Sequence, residues 1–213
     1  PSITVGVVQT NMGIYEKRED PGEGLRRHLA QSRLLEEEHA LDLLVWPESA
    51  ATFPLPRDEG VDAFQAFRSA ARFYRVDAGP PPTTPTLFGG LSTEQGPDGR
   101  LLYNTAFLTD QDGLVRGHYD KTYLLAFGEY LPFGDAFPQL YDYSPNTGHF
   151  TRGEHVHPLP FRDYRISTLV CYEDILPSFV RRFVQEGDPH LLVNITNDAW
   201  FGTFSGPWQH LAL

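Results

Sequence analysis

The first 75 residues switch between two hydrophobic periods, and that alternation constrains the fold more than any other feature. Ile3-Thr4-Val5-Gly6-Val7-Val8 is a β-rich apolar run that stops at polar Gln9-Thr10-Asn11, the pattern of a buried strand ending in a loop. Asp20-Pro21 then opens a helix, because Asp accepts the free amide hydrogens of the first turn and Pro lacks only an N–H that had no partner. Leu25, Leu29 and Leu34-Leu35 recur at helical spacing, with Arg26, Arg27, Arg33 and Glu36, Glu37 and Glu38 between them, so one face is apolar. Residues 41–46 form a second strand broken by Pro47, and residues 61–75 carry Phe64, Phe67 and Ala71 at helical intervals. Strand, helix, strand, helix implies a layered α/β domain.

Beyond Gly79-Pro80-Pro81-Pro82 the pattern becomes β-like over residues 86–91, 102–109 and 114–119. The last two runs flank Asp112-Gly113, a hairpin turn, so antiparallel pairing enters the sheet and a purely parallel, doubly wound arrangement is disfavoured. Residues 124–153 are rich in aromatic residues, Pro and Gly without a period, and read as a long ordered loop of the kind that usually carries function. A strand over 165–170 ends at Cys171, a short helix follows over 178–185, and a further strand occupies 191–196. No repeat or linker divides the chain, so residues 1–213 read as one domain.

The net charge of −11 argues against nucleic acid as a partner. The longest apolar stretches, such as Leu43-Leu44-Val45-Trp46, fall far short of the roughly 18 to 20 residues that a membrane-spanning helix needs. With neither an initiator Met nor a charged-then-apolar leader, the expectation is a piece of a longer chain. A single cysteine, Cys171, cannot close an intrachain disulfide, which leaves the compartment open.

Three reactive side chains follow apolar runs: Glu48 after Trp46-Pro47, Lys121 after the hairpin, and Cys171 at the end of its strand. Strand ends form the crevice in layered α/β folds, so the three can converge although they are far apart in sequence. Taken singly, each is as readily a surface charge or an inert core thiol. Together they supply complementary chemistry. A thiol with an ordinary pKa of about 8.5 needs a base; a partly desolvated carboxylate can serve as one; an ammonium stabilises the oxyanion formed at an attacked carbonyl.

The set Trp46-Pro47-Glu48, Tyr119-Asp120-Lys121 and Val170-Cys171-Tyr172-Glu173 resembles the Glu-Lys-Cys triad of the nitrilase, or carbon-nitrogen hydrolase, superfamily. Two flanking segments are more specific. Residues 121–133 (KTYLLAFGEYLPF) and 194–202 (NITNDAWFG), running on to Gly206-Pro207-Trp208-Gln209-His210, resemble the nitrilase-like domain of the bacterial apolipoprotein N-acyltransferases. That resemblance implies an αββα sandwich, here cut short at its C-terminus, on the periplasmic side of the bacterial inner membrane. It implies Glu48 as general base, Lys121 as oxyanion stabiliser and Cys171 as a nucleophile. Cys171 would carry an acyl chain from a phospholipid, as a thioester, to the amino group of a diacylglyceryl-cysteine apolipoprotein. Glu129 and Glu173 match functional glutamates of the family, and either can orient Lys121 or tune Glu48 by like-charge repulsion. Tyr172 contributes its backbone N–H. Leu124, Phe127 and Tyr130, with Leu131, Phe133, Phe137 and Tyr141, form an apolar cover that excludes water from the thioester, and Asn197 and Trp200 shape the pocket wall. No cofactor or metal is expected. Membrane attachment is expected through flanking helices that this chain lacks.

His149, His155 and His157 have no further ligand at a recognised spacing and are not read as a metal site. The sequon Asn194-Ile195-Thr196 lies in a β run expected to be buried. Two other readings stay open: a soluble amidase of the same superfamily using the same triad, and a non-catalytic interaction domain in which Cys171 is a structural thiol.

Overall fold

The structure, a computed structural model, describes residues 2–13, 16, 19–77, 79–97, 99–201, 208 and 210; the side chains of residues 200 and 201 lie outside the description. The alternating first part of the chain gives β1 (Val5–Val7), α1 (Pro21–Glu38), β2 (Leu43–Val45), β3 (Ala51–Leu55) and α2 (Ala63–Tyr74). Both helices start on side-chain caps: Asp20 accepts from the Glu23 N–H and Asp62 from the Gln65 N–H, satisfying amides that the helix leaves unpaired. There follow β4 (Thr86–Gly96), β5 (Gly99–Thr109), β6 (Val115–Asp120), the single turn α3 (Leu140–Tyr143), β7 (Leu159–Phe161), β8 (Tyr164–Val170), α4 (Pro177–Gly187) and β9 (Leu191–Ile195).

Two sheets result. The six-stranded one has the order β1-β2-β4-β5-β6, and β3 also pairs with β4; the second has the order β7-β8-β9. β4 and β5 are an antiparallel pair 11 residues deep, and β5 continues into the expected hairpin with β6. The register places β2 against Thr86 and Leu87 and β3 against Gly90, Leu91 and Ser92. Since β5 occupies the whole of the other edge of β4, β2 and β3 lie end to end along one edge, separated by the Trp46–Ala50 kink. Two strands differ from the expectation. β3 carries Pro54, which breaks the apolar pattern but is tolerated where the chain pairs on one side only. β7 is a three-residue strand with a proline at its centre, too short to show a period.

The period-2 alternation of the strands divides the core in two. Leu44, Trp46, Phe88 and Phe107 face α1 and α2, where they meet Leu25, Leu29, Phe64 and Phe67. Leu43, Val45, Leu87, Ala106, Leu108 and Tyr119 face the other way and pack on Leu159, Phe161, Ile166, Leu169, Val170 and Ile195, with Phe179 and Phe183 of α4. Each fully buried large apolar side chain contributes roughly 1.5–3 kcal/mol, so the sheet is held from both faces. Trp46 also hydrogen-bonds through Nε1 to Ser32 Oγ at 2.9 Å, which satisfies its one polar atom. Helices on one side, two stacked sheets, and α4 closing the second core make up the layered α/β architecture that the resemblance implies.

Residues 124–153 form the expected long loop, interrupted only by α3. Its turns are tied internally, as by the Gly148 N–H to the Gly128 carbonyl at 2.8 Å and the Phe150 N–H to the Glu129 carbonyl at 3.0 Å.

Candidate active site

Glu48 sits in the kink between β2 and β3. The kink can lie on β4 because residue 89 is glycine: a Cβ there would stand 2.7 Å from the Glu48 Cα and 3.0 Å from the Ser49 nitrogen. Ser49 takes a left-handed φ of 56° to complete the turn. The side chain of Glu48 points into the protein and is 5% exposed. It accepts a hydrogen bond of 2.8 Å from Asn104 Nδ2 and one from the Asn197 backbone N–H. Desolvation raises its pKa; Lys121 and the Asn104 amide pull the other way, and the nearby Glu129 adds to the rise.

Lys121 follows β6 directly and is buried. Its backbone N–H donates to the Asn104 carbonyl at 2.8 Å, so one residue of β5 fixes both Glu48 and Lys121. The Lys121 carbonyl accepts from Gly153, where a side chain would collide with the Asp120 carbonyl. Nζ lies 2.9 Å from Glu129 Oε2 and 3.7 Å from Glu48 Oε1, above the Tyr172 ring at 5.5 Å. Burial opposes its charge, but Glu48, Glu129 and the sulfur of Cys171 outweigh that, and its pKa is raised. The ammonium is therefore retained at neutral pH.

Cys171 follows β8 directly and opens a 3₁₀ turn, Cys171–Ile175, with a left-handed φ of 58°. That conformation is costly for a residue with a Cβ and holds only where the surroundings impose it. Burial and the charge of Glu48 push the thiol up to about 12, while Lys121, the Tyr172 N–H and the Thr196 hydroxyl favour the thiolate. Glu48, Lys121 and Cys171 thus lie in one electrostatically coupled cluster, brought together from the ends of β2, β6 and β8.

The supporting residues divide. Glu129 bonds Lys121 and also accepts from Asn104 Nδ2 at 2.9 Å and the Leu125 N–H at 2.8 Å. Glu173 makes no ion pair with Lys121, whose carboxylate partners among the described residues are Glu129 and Glu48. It is fully buried, and its carboxylate accepts from the N–H groups of Thr122, Tyr123 and Val170 and from the Tyr119 hydroxyl. It ties the turn after Cys171 to the loop after Lys121. Tyr172 reaches the Leu124 carbonyl through its hydroxyl at 2.8 Å.

Of the apolar cover, Leu124 and Leu131 are buried, whereas Phe127, Phe133 and Phe137 are 71%, 78% and 60% exposed. These three rings face solvent instead of closing over the cluster; Phe127 and Phe133 sit at left-handed turns that aim them outward. Tyr130 is half-buried and stacks under Arg152 at 4.8 Å. Asn197 is buried beside Glu48. The Trp200 side chain lies outside the description. His155 and His157 stack on each other with ring centroids 5.4 Å apart, and among the described residues no group of three or more His, Cys, Asp or Glu side chains is arranged so that it could hold a metal ion.

Asn104 was not singled out from sequence. Its signal is faint: a single amide in an otherwise apolar stretch of strand, Leu101-Leu102-Tyr103-Asn104-Thr105-Ala106-Phe107, at a position that β-propensity disfavours.

A two-sheet α/β fold with a glutamate, a lysine and a cysteine at converging strand ends defines a class, and the chain belongs to the carbon-nitrogen hydrolase family, whose model matches residues 4–213. It is 38% identical over 172 residues to the apolipoprotein N-acyltransferase of Geobacter metallireducens, covering 81% of this chain and 31% of that protein. It is 33% identical over 220 residues to the enzyme of the same name from Bdellovibrio bacteriovorus, covering 96% and 39%. The chain thus spans less than two fifths of the length of either relative. Its fold is also that of Saccharomyces cerevisiae Nit3, a member of branch 10 of the nitrilase superfamily, with a TM-score of 0.61 at 18% identity over 99% of this chain and 69% of that one.

Proposed function

We propose that this chain is the acyl-transferring domain of an apolipoprotein N-acyltransferase, with Cys171 as nucleophile, Glu48 as general base and Lys121 as oxyanion stabiliser. The observation that carries the reading is the cluster of buried Glu48 and Lys121 with the partly buried Cys171 in a chain whose curated relatives bear that name.

In the first half-reaction Glu48 takes the thiol proton and the sulfur attacks the ester carbonyl carbon of a phospholipid. The oxyanion is met by Lys121 Nζ and the Tyr172 N–H; loss of one such donor typically costs about 3 kcal/mol in the transition state. The carbon–oxygen bond breaks, Glu48 returns its proton to the leaving oxygen, and a lysophospholipid departs from a Cys171 thioester. In the second half the α-amino group of a diacylglyceryl-modified apolipoprotein cysteine attacks the thioester carbonyl. Glu48 takes a proton from the nitrogen, the carbon–sulfur bond breaks, and the proton passes back to sulfur. One acyl-enzyme serving two substrates in turn is a ping-pong scheme. No cofactor enters.

A lipid donor also suits the surface. Phe127, Phe133, Phe137 and Tyr143 are exposed on the loop that holds Glu129, an apolar group of the kind that marks a lipid or protein contact. We place the reaction at the bacterial inner membrane with this domain facing the periplasm, attached through flanking helices of a longer protein; no described helix of this chain is long and apolar enough to cross a membrane.

The test is a transfer assay with the intact protein, phospholipid vesicles and a synthetic diacylglyceryl-cysteine peptide. The expected product is the peptide heavier by one acyl chain, formed only when phospholipid is present. Ammonia release from small amides with no peptide acylation would instead identify an amidase and overturn the proposal.

A further inference from the structure

Beside the nucleophile lies a second group of titratable side chains that the scheme above does not use. His210 Nδ1 is 2.7 Å from Asp198 Oδ1, and its Nε2 is 3.0 Å from Asp174 Oδ1. Asp174 belongs to the turn that begins with Cys171, and its other oxygen accepts from Asn194 Nδ2 of β9. Asp198 Oδ1 also accepts from Thr196 Oγ1 at 3.0 Å. Ile195 of β9 pairs with Val170 of β8, so Thr196 and Cys171 stand side by side at the next position of the register, and the Thr196 hydroxyl favours the thiolate. Thr196, Asp198, His210 and Asp174 are thus linked in one chain of hydrogen bonds that begins beside Cys171 and returns to its turn, three residues past the nucleophile.

The charge on this path follows from its geometry. Ionised carboxylates only accept, so a ring with both nitrogens on carboxylate oxygens carries both protons, and His210 is an imidazolium. Partial burial works against that charge, but Asp198 and Asp174 outweigh it and raise the His210 pKa. Thr196 has a single proton to give. While Cys171 is a thiol, its S–H donates to Thr196 Oγ1 and the hydroxyl donates to Asp198. Once the proton leaves sulfur, the thiolate can only accept, and the hydroxyl must turn from Asp198 to donate to it. Asp198 can release that proton because the His210 N–H still satisfies it. Without the imidazolium, Asp198 keeps the Thr196 proton and adds an uncompensated negative charge near the thiolate.

We infer that His210 is a positioning residue for Cys171, acting through Asp198 to free the Thr196 hydroxyl for the thiolate. The inference rests on the reading of Cys171 as the nucleophile. Cys171 also feels the charges of Glu48 from the β2–β3 kink and Lys121 from the end of β6, itself held by Glu129. Among the described residues, the charged groups bonded to His210 are Asp174 and Asp198.

The experiment follows alkylation of Cys171 by iodoacetamide in the intact protein, read on its peptide by mass spectrometry across about pH 6 to 9, where thiolate reactivity is resolved. H210Q and T196V are each expected to move the rate curve up by about one pH unit, slowing alkylation about tenfold at a given pH. T196S restores it. Adding D198N to H210Q recovers reactivity, because the unpaired carboxylate is gone, whereas a purely structural clamp loses more with each change. An H210Q curve that superimposes on wild type, or a further loss in the double variant, overturns the inference. Should H210Q not fold, ¹⁵N spectra of the wild-type ring decide: protons on both nitrogens at neutral pH are expected, and a neutral tautomer overturns it. Acyl transfer is a separate readout. A shifted H210Q curve in a protein that never acylates Cys171 rejects the proposed function and keeps the clamp; acylation with an unshifted curve does the reverse.

Discussion

Lys121 Nζ is 2.9 Å from Glu129 but 3.7 Å from Glu48, so one carboxylate binds the buried ammonium and the other only feels its field. That asymmetry leaves Glu48 able to exchange a proton. Were the lysine bonded closely to Glu48, it would hold that carboxylate ionised and non-basic.

Glu129→Gln therefore damages both partners. Lys121 loses its anchor and closes on Glu48, whose pKa falls as the like charge of Glu129 disappears. Single-turnover acylation of Cys171 is expected to slow by about tenfold to a hundredfold, the range of a weakened general base. The melting temperature, measured alongside, should fall modestly, because Asn104 Nδ2 and the Leu125 N–H are held by different oxygens of Glu129 and the amide keeps an acceptor for only one of them, leaving one donor unsatisfied at a cost of about 1–3 kcal/mol.

Asn104→Leu removes the amide that bridges Glu48 and Glu129 at 2.8 and 2.9 Å. Glu48 must be ionised to act as base, and its pKa stands above the ordinary 4.5 because of burial. The acidic limb of the acylation rate should accordingly lie above the usual carboxylate range in wild type. Asn104 favours the ionised form, so its loss raises the pKa again and moves that limb to higher pH. A pH–rate profile of the two proteins checks the direction.

Gly89→Ala places a methyl 2.7 Å from the Glu48 Cα, against backbone that cannot swing aside. A destabilisation of about 1–3 kcal/mol is expected, as for an overpacked core, and the shift falls on the kink that carries Glu48. Urea unfolding gives the first quantity and the acylation rate the second, and both should fall.

Glu173→Ala leaves the N–H groups of Thr122, Tyr123 and Val170 without their acceptor in a site that excludes water. Each buried unsatisfied donor costs about 1–3 kcal/mol, so a loss of about 3 kcal/mol or more is expected in urea unfolding. This distinguishes Glu173 from Glu129, whose replacement acts mainly on rate and leaves one donor, not three, without its acceptor.

Much of this arrangement was legible in the sequence because it rests on local pattern. The capped helix at Asp20-Pro21, the hairpin around Asp112-Gly113 and the apolar runs before Glu48, Lys121 and Cys171 each announce themselves within a dozen residues. Features that depend on what lies across the sheet did not. β3 is hidden by Pro54, which is acceptable because that strand pairs with β4 on one side only. Asn104 gains its role from two carboxylates 56 and 25 residues away, a separation no period reveals. The family motif puts Glu173 beside Glu129 as a residue that orients Lys121 or tunes Glu48, yet its carboxylate is taken up by three backbone amides and the Tyr119 hydroxyl. The aromatic loop was read as a cover on composition alone, and composition does not say that left-handed turns at Phe127 and Phe133 direct the rings to solvent.

The most direct measurement is the mass of the Cys171 peptide after the intact protein is incubated with phospholipid and no acceptor. The expected result is a peptide heavier by one acyl chain in wild type, discharged on adding a diacylglyceryl-cysteine peptide and absent in Cys171→Ala. An unmodified Cys171 peptide, or an acyl adduct that persists at another residue in Cys171→Ala, would contradict the thioester and with it the proposed transfer.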